Sequence, residues 1–471
     1  MTHPRQAEFN RVYALQRSHR WTAKTSSVEH RCALLLQLRA VILRHADEVS
    51  EALFADLGKP RLTKIHSEVQ NSIIAIDNAV ANLSDWVKPV LLGKSKGFEG
   101  ADMRLEYEAR GVVLIFGPWN FPFQLLFESL VPALAAGNTA IVKPNEMCPQ
   151  TAAVSARIIA EAFEEHQVAG VEGDVSVANA LLELPIDHVF FTGSPTVGKV
   201  VAAAAARHLA SVTMELGGKC PAIIDGTFDL DKTAELVAEG RQHNSGQICL
   251  ATDHVWIKEE LLDSFLAKYQ QIIERKHFKN GAFDPSTMSR MVDSRNADRV
   301  QGYINDAVSR GATLLRGGRS EVDPSIFEPA ILLNAPLDSR VMQDEIFGPV
   351  LPIQTWREPA QVLDYLQNNN KPLAMYIFSE DQDFIAQMVS GTSSGGVTIN
   401  GWASHWGEQQ LPFGGVGNSG SGRYHGHYGF KELSHERAIL AHPTTGEVGA
   451  DKPWLDRIIV PVRAMPTECS D

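Results

Sequence analysis

Cysteine is scarce in this chain. There are five in 471 residues, Cys32, Cys148, Cys220, Cys249 and Cys469. They are scattered, and no pair has CxxC spacing, which excludes a disulfide framework and points to a reducing cytoplasm. Long apolar runs are missing as well. The longest stretch, 200–206, is short and alanine-rich and ends at Arg207 and His208, well under the ~18–20 residues that span a bilayer. The first ten residues lack the apolar core of a secretory signal. Residues 452–471 carry charges and three prolines, so no membrane anchor is expected there. No block of Lys or Arg occurs, and the net charge is −13. A polyanionic partner such as nucleic acid is therefore not expected. His405, His425 and His427 have no cysteine partner, and the last two lie in a glycine- and tyrosine-rich loop, so no metal site is expected. Internal repeats and low-complexity tracts are absent.

What is present is the balance of a globular protein, 44% hydrophobic and 21% charged, long enough for two or three domains. Apolar spacing predicts helices over 28–55 and about 63–86, then a half-exposed strand over 103–109. Residues 92–100, rich in Gly and Lys, read as a surface connection. Short Val/Ile/Phe runs follow at 112–116, 139–143, 175–177, 188–192 and 211–215. Helical patterns at 123–136, 150–165, 178–184 and 196–209 separate them. Buried strands alternating with helices mean a parallel sheet covered on both faces, with ligands at the carboxyl ends of its strands. A second α/β pass places strands near 222–225, 254–257, 331–333, 350–354, 373–378 and 397–399, and helices over 261–275 and 297–309. A domain boundary is expected near Gly217-Gly218.

Two reactive groups stand out. Glu215 ends an apolar strand, and Cys249 follows 34 positions later in a turn of small and polar residues. A thiol can add to an electrophilic carbon, and a carboxylate can activate water to release the adduct. The same pair could be a strand end and a buried thiol. Cys249 needs help to ionise, since a free thiol titrates near ~8.5, and no sequence neighbour supplies it. Cys220 and Cys32 read as packing residues.

Three turns leave strands at positions where chemistry is expected. Gly117-Pro118-Trp119-Asn120-Phe121-Pro122 is stiffened by its prolines, so the Asn120 amide is either an oxyanion donor or a cap of the next helix. Lys143-Pro144-Asn145-Glu146 offers a cation and a carboxylate for ribose hydroxyls, or is a solvated loop. Thr192-Gly193-Ser194-Pro195-Thr196-Val197-Gly198 lets a pyrophosphate approach a helix N-terminus, or is an ordinary tight turn.

Taken in order, GPWNFP at 117–122, KPNE at 143–146, GSPTVG at 193–198, ELGGK at 215–219, GQIC at 246–249, EIFGPV at 345–350 and LPFGGVGNSG at 411–420 strongly resemble the aldehyde dehydrogenase superfamily. The short start before Val112, KPLAMYIFS at 371–379 and the 413–427 stretch look most like its class 3 branch, the fatty, aromatic and coniferyl aldehyde dehydrogenase type. The resemblance implies an α/β fold: a Rossmann-like five-stranded parallel-sheet cofactor domain, an α/β catalytic domain and a small oligomerisation arm. The expected division is 1–216 for the NAD(P)-binding domain, with the arm strand at about 102–110. Residues 217–410 would be the catalytic domain, and 411–471 the return to the cofactor domain and an oligomerisation segment. A cytoplasmic homodimer is implied.

By the same resemblance Cys249 is the nucleophile, Asn120 holds the oxyanion and Glu215 deprotonates the hydrolytic water. Trp119, Lys143, Glu146, Gly193, Ser194, Gly198, Leu216, Glu345 and Phe347 contact the dinucleotide. A carboxylate at Glu146 favours NAD over NADP, with NADP use allowed by the neighbouring Lys143. The substrate expected is an aromatic or a medium- to long-chain aliphatic aldehyde. Trp402 and Trp406, in a stretch that departs from the class 3 pattern, either line an apolar passage for it or serve packing. Two other readings stay open: release of the thioester to CoA, which Glu215 argues against, and a non-catalytic role on the same scaffold.

Overall fold

The computed structural model describes residues 3–442 except 62, 94–97, 99 and 322. The expectations for 452–471 and for Cys469 therefore lie outside the described residues, as does part of the 92–100 connection. Its first residue, Leu92, instead ends a strand, Val90–Leu92, paired antiparallel with Asp102–Ala109.

The first sheet is built from short runs that are apolar on both sides. Val112–Phe116 sends Val112, Leu114 and Phe116 to one core and Val113 and Ile115 to another. Such a strand must be covered on both faces, and it is. Helices Gln6–Lys24, Val175–Leu182 and Pro195–Ala206 pack on one side, Gln124–Ala135 and Pro149–Ala162 on the other. Five strands run parallel in the order Ser211–Leu216, His188–Gly193, Val112–Phe116, Thr139–Lys143 and Val168–Gly170. The connection reverses direction beside Val112–Phe116, so the crevice there lies outside the carboxyl ends of two adjacent strands.

Five parallel strands were expected, but one of them was misplaced. Residues 175–177 are helix, because the Asp174 side chain accepts from Ser176 N at 2.9 Å and caps Val175–Leu182. The fifth strand is Val168–Gly170, whose three residues are too few to show a pattern. The single helix expected over 28–55 is two, Val28–Arg44 and Ala46–Leu57, broken at His45, whose ring lies between Glu48 and Glu161.

After Leu216 the chain leaves this sheet and enters a second one at Pro221. That sheet has seven strands in the order Thr313–Arg319, Phe327–Leu333, Val350–Trp356, His254–Lys258, Pro221–Ile224, Ala374–Phe378 and Gly396–Ile399. All pairings are parallel except the one made by Thr313–Arg319. One continuous apolar core runs through both sheets. The chain then returns: Gly420–Ser421 pairs antiparallel with Met214 and Glu215 at the end of the first sheet. Finally Ser434–Ala441 pairs along the whole of Asp102–Ala109, completing a three-stranded antiparallel sheet with Val90–Leu92 at its edge. Leu91 on that edge is 80% exposed. Among the described residues no helix is long and apolar enough to cross a membrane.

Candidate active site

Asn120, Glu146, Ser194 and Glu215 all leave or end parallel strands at the carboxyl edge of the first sheet. Asn120 is fixed from two directions. Its side-chain amide donates to Gln247 O at 3.1 Å, and its own carbonyl accepts from Asn244 Nδ2 at 3.0 Å and from Lys59 Nζ. It caps nothing: the following helix has Phe123 at its N-cap, with no side-chain cap. That work falls to Glu68, whose Oε2 accepts from Phe123 N and Gln124 N, each at 3.1 Å, while Oε1 pairs with Lys59 at 2.6 Å. Lys59 also sits 3.9 Å from the Phe121 ring centroid. Both members of this ion pair are buried. They escaped sequence reading because a lone Lys and Glu nine residues apart carry no motif.

Cys249 is delivered by the second sheet, between helix Leu230–Gln242 and strand His254–Lys258. The turn before it is tight. Asn244, Ser245 and Gly246 are all left-handed, with φ of 50°, 53° and 71°. Only glycine fits at 246, where a Cβ would fall 2.3 Å from Arg241 Nη2 and 2.5 Å from Gly348 O. The buried Arg241 donates to Gly246 O at 2.8 Å, and Gln247 Nε2 donates to Asn244 O and Arg290 O, each at 3.1 Å. Arg241 is another residue that sequence reading missed. Cys220 proves to be more than filler, since its thiol donates to Cys249 O at 3.3 Å.

Electrostatics tie the groups together. Burial, then the nearby carboxylates of Glu345 and Glu215, pushes the Cys249 thiol up to about 12, against the backbone N–H groups of Cys249 and Leu250. Burial, helped by Glu432, raises the Glu215 carboxyl well above its ordinary value. Neither Glu215 oxygen accepts a hydrogen bond among the described residues. A buried carboxyl left unpartnered within electrostatic reach of a thiol is a costly arrangement to maintain for packing alone, and such perturbed groups cluster at reactive centres.

Glu345 and Phe347 lie on a turn that Lys219 and Asp253 hold in place. Lys219 Nζ bonds Asp253, Val341 O at 2.8 Å and Asp344 O at 2.9 Å, and Asp253 Oδ2 accepts from Ile346 N at 3.0 Å. The Glu345 carboxyl rests on Gly217, where a Cβ would meet Oε2 at 2.0 Å. Burial and Asp253 raise Glu345 to about 8. The Phe347 ring meets Trp119 edge-on at 5.2 Å. Lys143 is buried and pairs with Glu146 at 2.6 Å, so this turn is no solvated loop at its lysine. Ser194 caps helix Pro195–Ala206, and Gly198 packs on Leu216, where a Cβ would come within 2.9 Å. Gly193 pairs with Leu216 across the two strands. Among the described residues no cluster of three or more His, Cys, Asp or Glu could hold a metal ion.

Comparison with known proteins agrees with this geometry. The profile of the Aldehyde dehydrogenase family matches residues 3–439. The chain belongs to the aldehyde dehydrogenase family. A coniferyl aldehyde dehydrogenase of Pseudomonas sp. (strain HR199 / DSM 7063) is 35% identical over 433 residues, 90% of this chain and 88% of that one. A dimeric NADP-preferring aldehyde dehydrogenase of Rattus norvegicus is 36% identical over 427 residues, 90% of this chain and 93% of that one. The substrate-bound state of Staphylococcus aureus AldH superposes with a TM-score of 0.89 at 34% identity, covering 94% of this chain and 96% of that one. The present dehydrogenase therefore oxidises aldehydes with NAD(P) as cofactor. Its residues suit a dinucleotide: a buried lysine paired with a carboxylate, a capped helix N-terminus beside Gly193, and Glu345 Oε1 without a hydrogen-bond partner among the described residues.

Trp402 and Trp406, uncertain from sequence, are half-buried against the shared core. The Trp402 indole donates to Leu250 O at 3.0 Å, one residue from Cys249, and Trp406 contacts the His425 ring.

Proposed function

We propose that the protein oxidises an aromatic or medium- to long-chain aldehyde to its carboxylic acid through a thioester on Cys249. The observation that carries this is the unpartnered, buried Glu215 within electrostatic reach of the Cys249 thiol, with the Asn120 amide anchored to the turn that delivers that thiol. In this reading the sulfur adds to the carbonyl carbon. The thiol proton leaves through Glu215 or water, and the resulting oxyanion is held by Asn120 Nδ2 and the Cys249 N–H. The nicotinamide, when bound, supplies the acceptor for the hydride that leaves this adduct. Glu215 then takes a proton from water, whose oxygen attacks the thioester carbon and expels the thiolate as the acid forms. Lys143, Glu146, Gly193, Ser194, Gly198, Leu216, Trp119, Glu345 and Phe347 would bind and orient the cofactor.

The aromatic rings near the centre, Trp402 and Trp406 with Phe413 and Tyr424, favour an aromatic substrate, as does the likeness to a coniferyl aldehyde dehydrogenase. Glu146 favours NAD, because it would repel a 2′-phosphate. Homodimerisation is supported by the exposed edge at Val90–Leu92, and a reducing cytoplasm by the free thiol that the chemistry needs. Turnover of an aldehyde panel with NAD and with NADP tests the function. In Glu215→Gln, one equivalent of reduced cofactor per site should appear before the reaction stalls. A slow first turnover in that variant assigns Glu215 to thiol activation and refutes its place in hydrolysis. Acyl-CoA formation on adding CoA would replace hydrolysis as the release step.

A further inference from the structure

Helix Gln124–Ala135 and the 413–425 loop bring together two side chains, each with one polar atom that no hydrogen bond uses among the described residues. Glu128 and His425 are each 6% exposed, and Glu128 Oε2 lies 3.9 Å from His425 Nε2. That is too long for a direct hydrogen bond. Neither atom has a hydrogen-bond partner among the described residues. Leaving one such group buried and unpaired is costly, and two facing each other mark a place where a third group belongs.

The protonation states define what that group is. His425 Nδ1 lies 3.0 Å from Trp406 O. A carbonyl can only accept, so Nδ1 carries the proton and, in the neutral ring, Nε2 presents a lone pair. Burial lowers His425 to about 4, against its bond to Trp406. Burial raises Glu128 to about 8, against a hydrogen bond from Gln124 and with help from the charge of Glu68. Near neutral pH the pair is then an acid O–H facing an imidazole nitrogen. A hydroxyl placed between them accepts from the first and donates to the second; at 2.8 Å from each, a typical O–H···O length, it spans the separation with a bent angle.

The position ties the pair to the reacting centre. The His425 ring contacts Tyr424 at 4.4 Å, Phe413 at 5.3 Å and Trp406 at 5.8 Å, so its walls are aromatic. Tyr424 stands three residues beyond the strand that pairs with Glu215 and feels the charges of Glu128, Glu215 and Cys249. Aromatic walls with a few convergent polar atoms are the composition of a small-molecule subsite.

We propose that Glu128 and His425 form a subsite for a neutral hydroxyl at the far end of the aldehyde, making the preferred substrate class hydroxylated aldehydes with an apolar or aromatic body. This rests on the aldehyde-oxidising site described above. A subsite built to hydrogen-bond a hydroxyl rejects the analogue that lacks it far more strongly than an apolar pocket rejects an added hydroxyl.

Matched substrates test it with the intact enzyme and its cofactor. The first pair is para-(hydroxymethyl)benzaldehyde against para-ethylbenzaldehyde. The longer pair carries the same two groups on cinnamaldehyde. In at least one pair the hydroxyl member should show a kcat/KM at least about tenfold higher, and Glu128→Leu and His425→Phe should each bring that ratio to about one. Ratios near one in both pairs for the unmodified enzyme, with the ethyl aldehydes turned over, mean that the pair holds only water; the proposal is then overturned and the dehydrogenase reading stands. A preference that survives intact in Glu128→Leu also overturns it. No turnover of any of these aldehydes or of benzaldehyde would remove the catalytic reading and the subsite with it. The comparison within the unmodified enzyme does not depend on either variant folding.

Discussion

Removing Glu68 separates stability from catalysis in a way that few changes here would. The Glu68 carboxylate is fully buried, pairs with Lys59 at 2.6 Å and accepts from Phe123 N and Gln124 N. Lys59 in turn bonds the carbonyl of Asn120. Burial drives the Lys59 ammonium down from its ordinary value, and Glu68 offsets part of that. In Glu68→Ala the ammonium is left without its counter-charge and two backbone N–H groups lose their acceptor. Breaking a buried pair this way costs about 3–5 kcal/mol. Replacing both partners with apolar side chains, Lys59→Met with Glu68→Leu, should restore part of that loss, because no buried charge remains. Urea unfolding followed by circular dichroism measures both. The turn that carries Asn120 loses one of its anchors in either case, so kcat should fall about 10²-fold or more even in the double variant, the scale on which a misplaced oxyanion donor acts. A loss below about 1 kcal/mol in Glu68→Ala, or a double variant with the original kcat, would refute the reasoning.

Three shorter expectations follow from the electrostatics. With the Cys249 thiol pushed up to about 12 in the cofactor-free protein, alkylation by iodoacetamide should accelerate about tenfold per pH unit from 7 to 10; a plateau near pH 8 contradicts this. Glu432 adds to the upward shift of Glu215, and a base works only once deprotonated. Glu432→Gln should therefore lower the folded pKa of Glu215 and move the rising limb of the kcat profile to lower pH, whereas an unmoved limb places the Glu432 charge out of reach. Glu146→Ser should raise the ratio of NADP to NAD efficiency about tenfold or more, equivalent to 1.4 kcal/mol; no change would remove Glu146 from the ribose.

The sequence made the first sheet legible because its strands are nearly continuous apolar runs, and it made the candidate site legible because most of its groups sit in punctuated turns and Glu215 ends a strand. Strand Val168–Gly170 was too short to register, and Asp174 turned the adjacent valines into helix. Helix Gln6–Lys24 buries only Phe9, Val12 and Gln16, too sparse a stripe to stand out. Strand Thr313–Arg319 is half-exposed and contains two left-handed glycines, Gly317 and Gly318. Lys59, Glu68 and Arg241 act through contacts with residues distant in sequence or through backbone carbonyls, and no local pattern encodes such partners. The Glu128–His425 encounter spans nearly three hundred residues, and sequence reading had weighed His425 only as a metal ligand.

Cys249, the proposed nucleophile, is delivered by the second sheet, and Glu215, the carboxyl that would free its product, ends a strand of the first. The joint core, the brief crossing between Leu216 and Pro221, the hydrogen bonds of Asn120 with Gln247 and Asn244, and the returning strand Gly420–Ser421 keep them in step. Displacements of about 1 Å between reacting groups can slow a reaction about 10²-fold. A volume-conserving substitution in that joint core, cheap in stability, would thus register more in turnover than in melting.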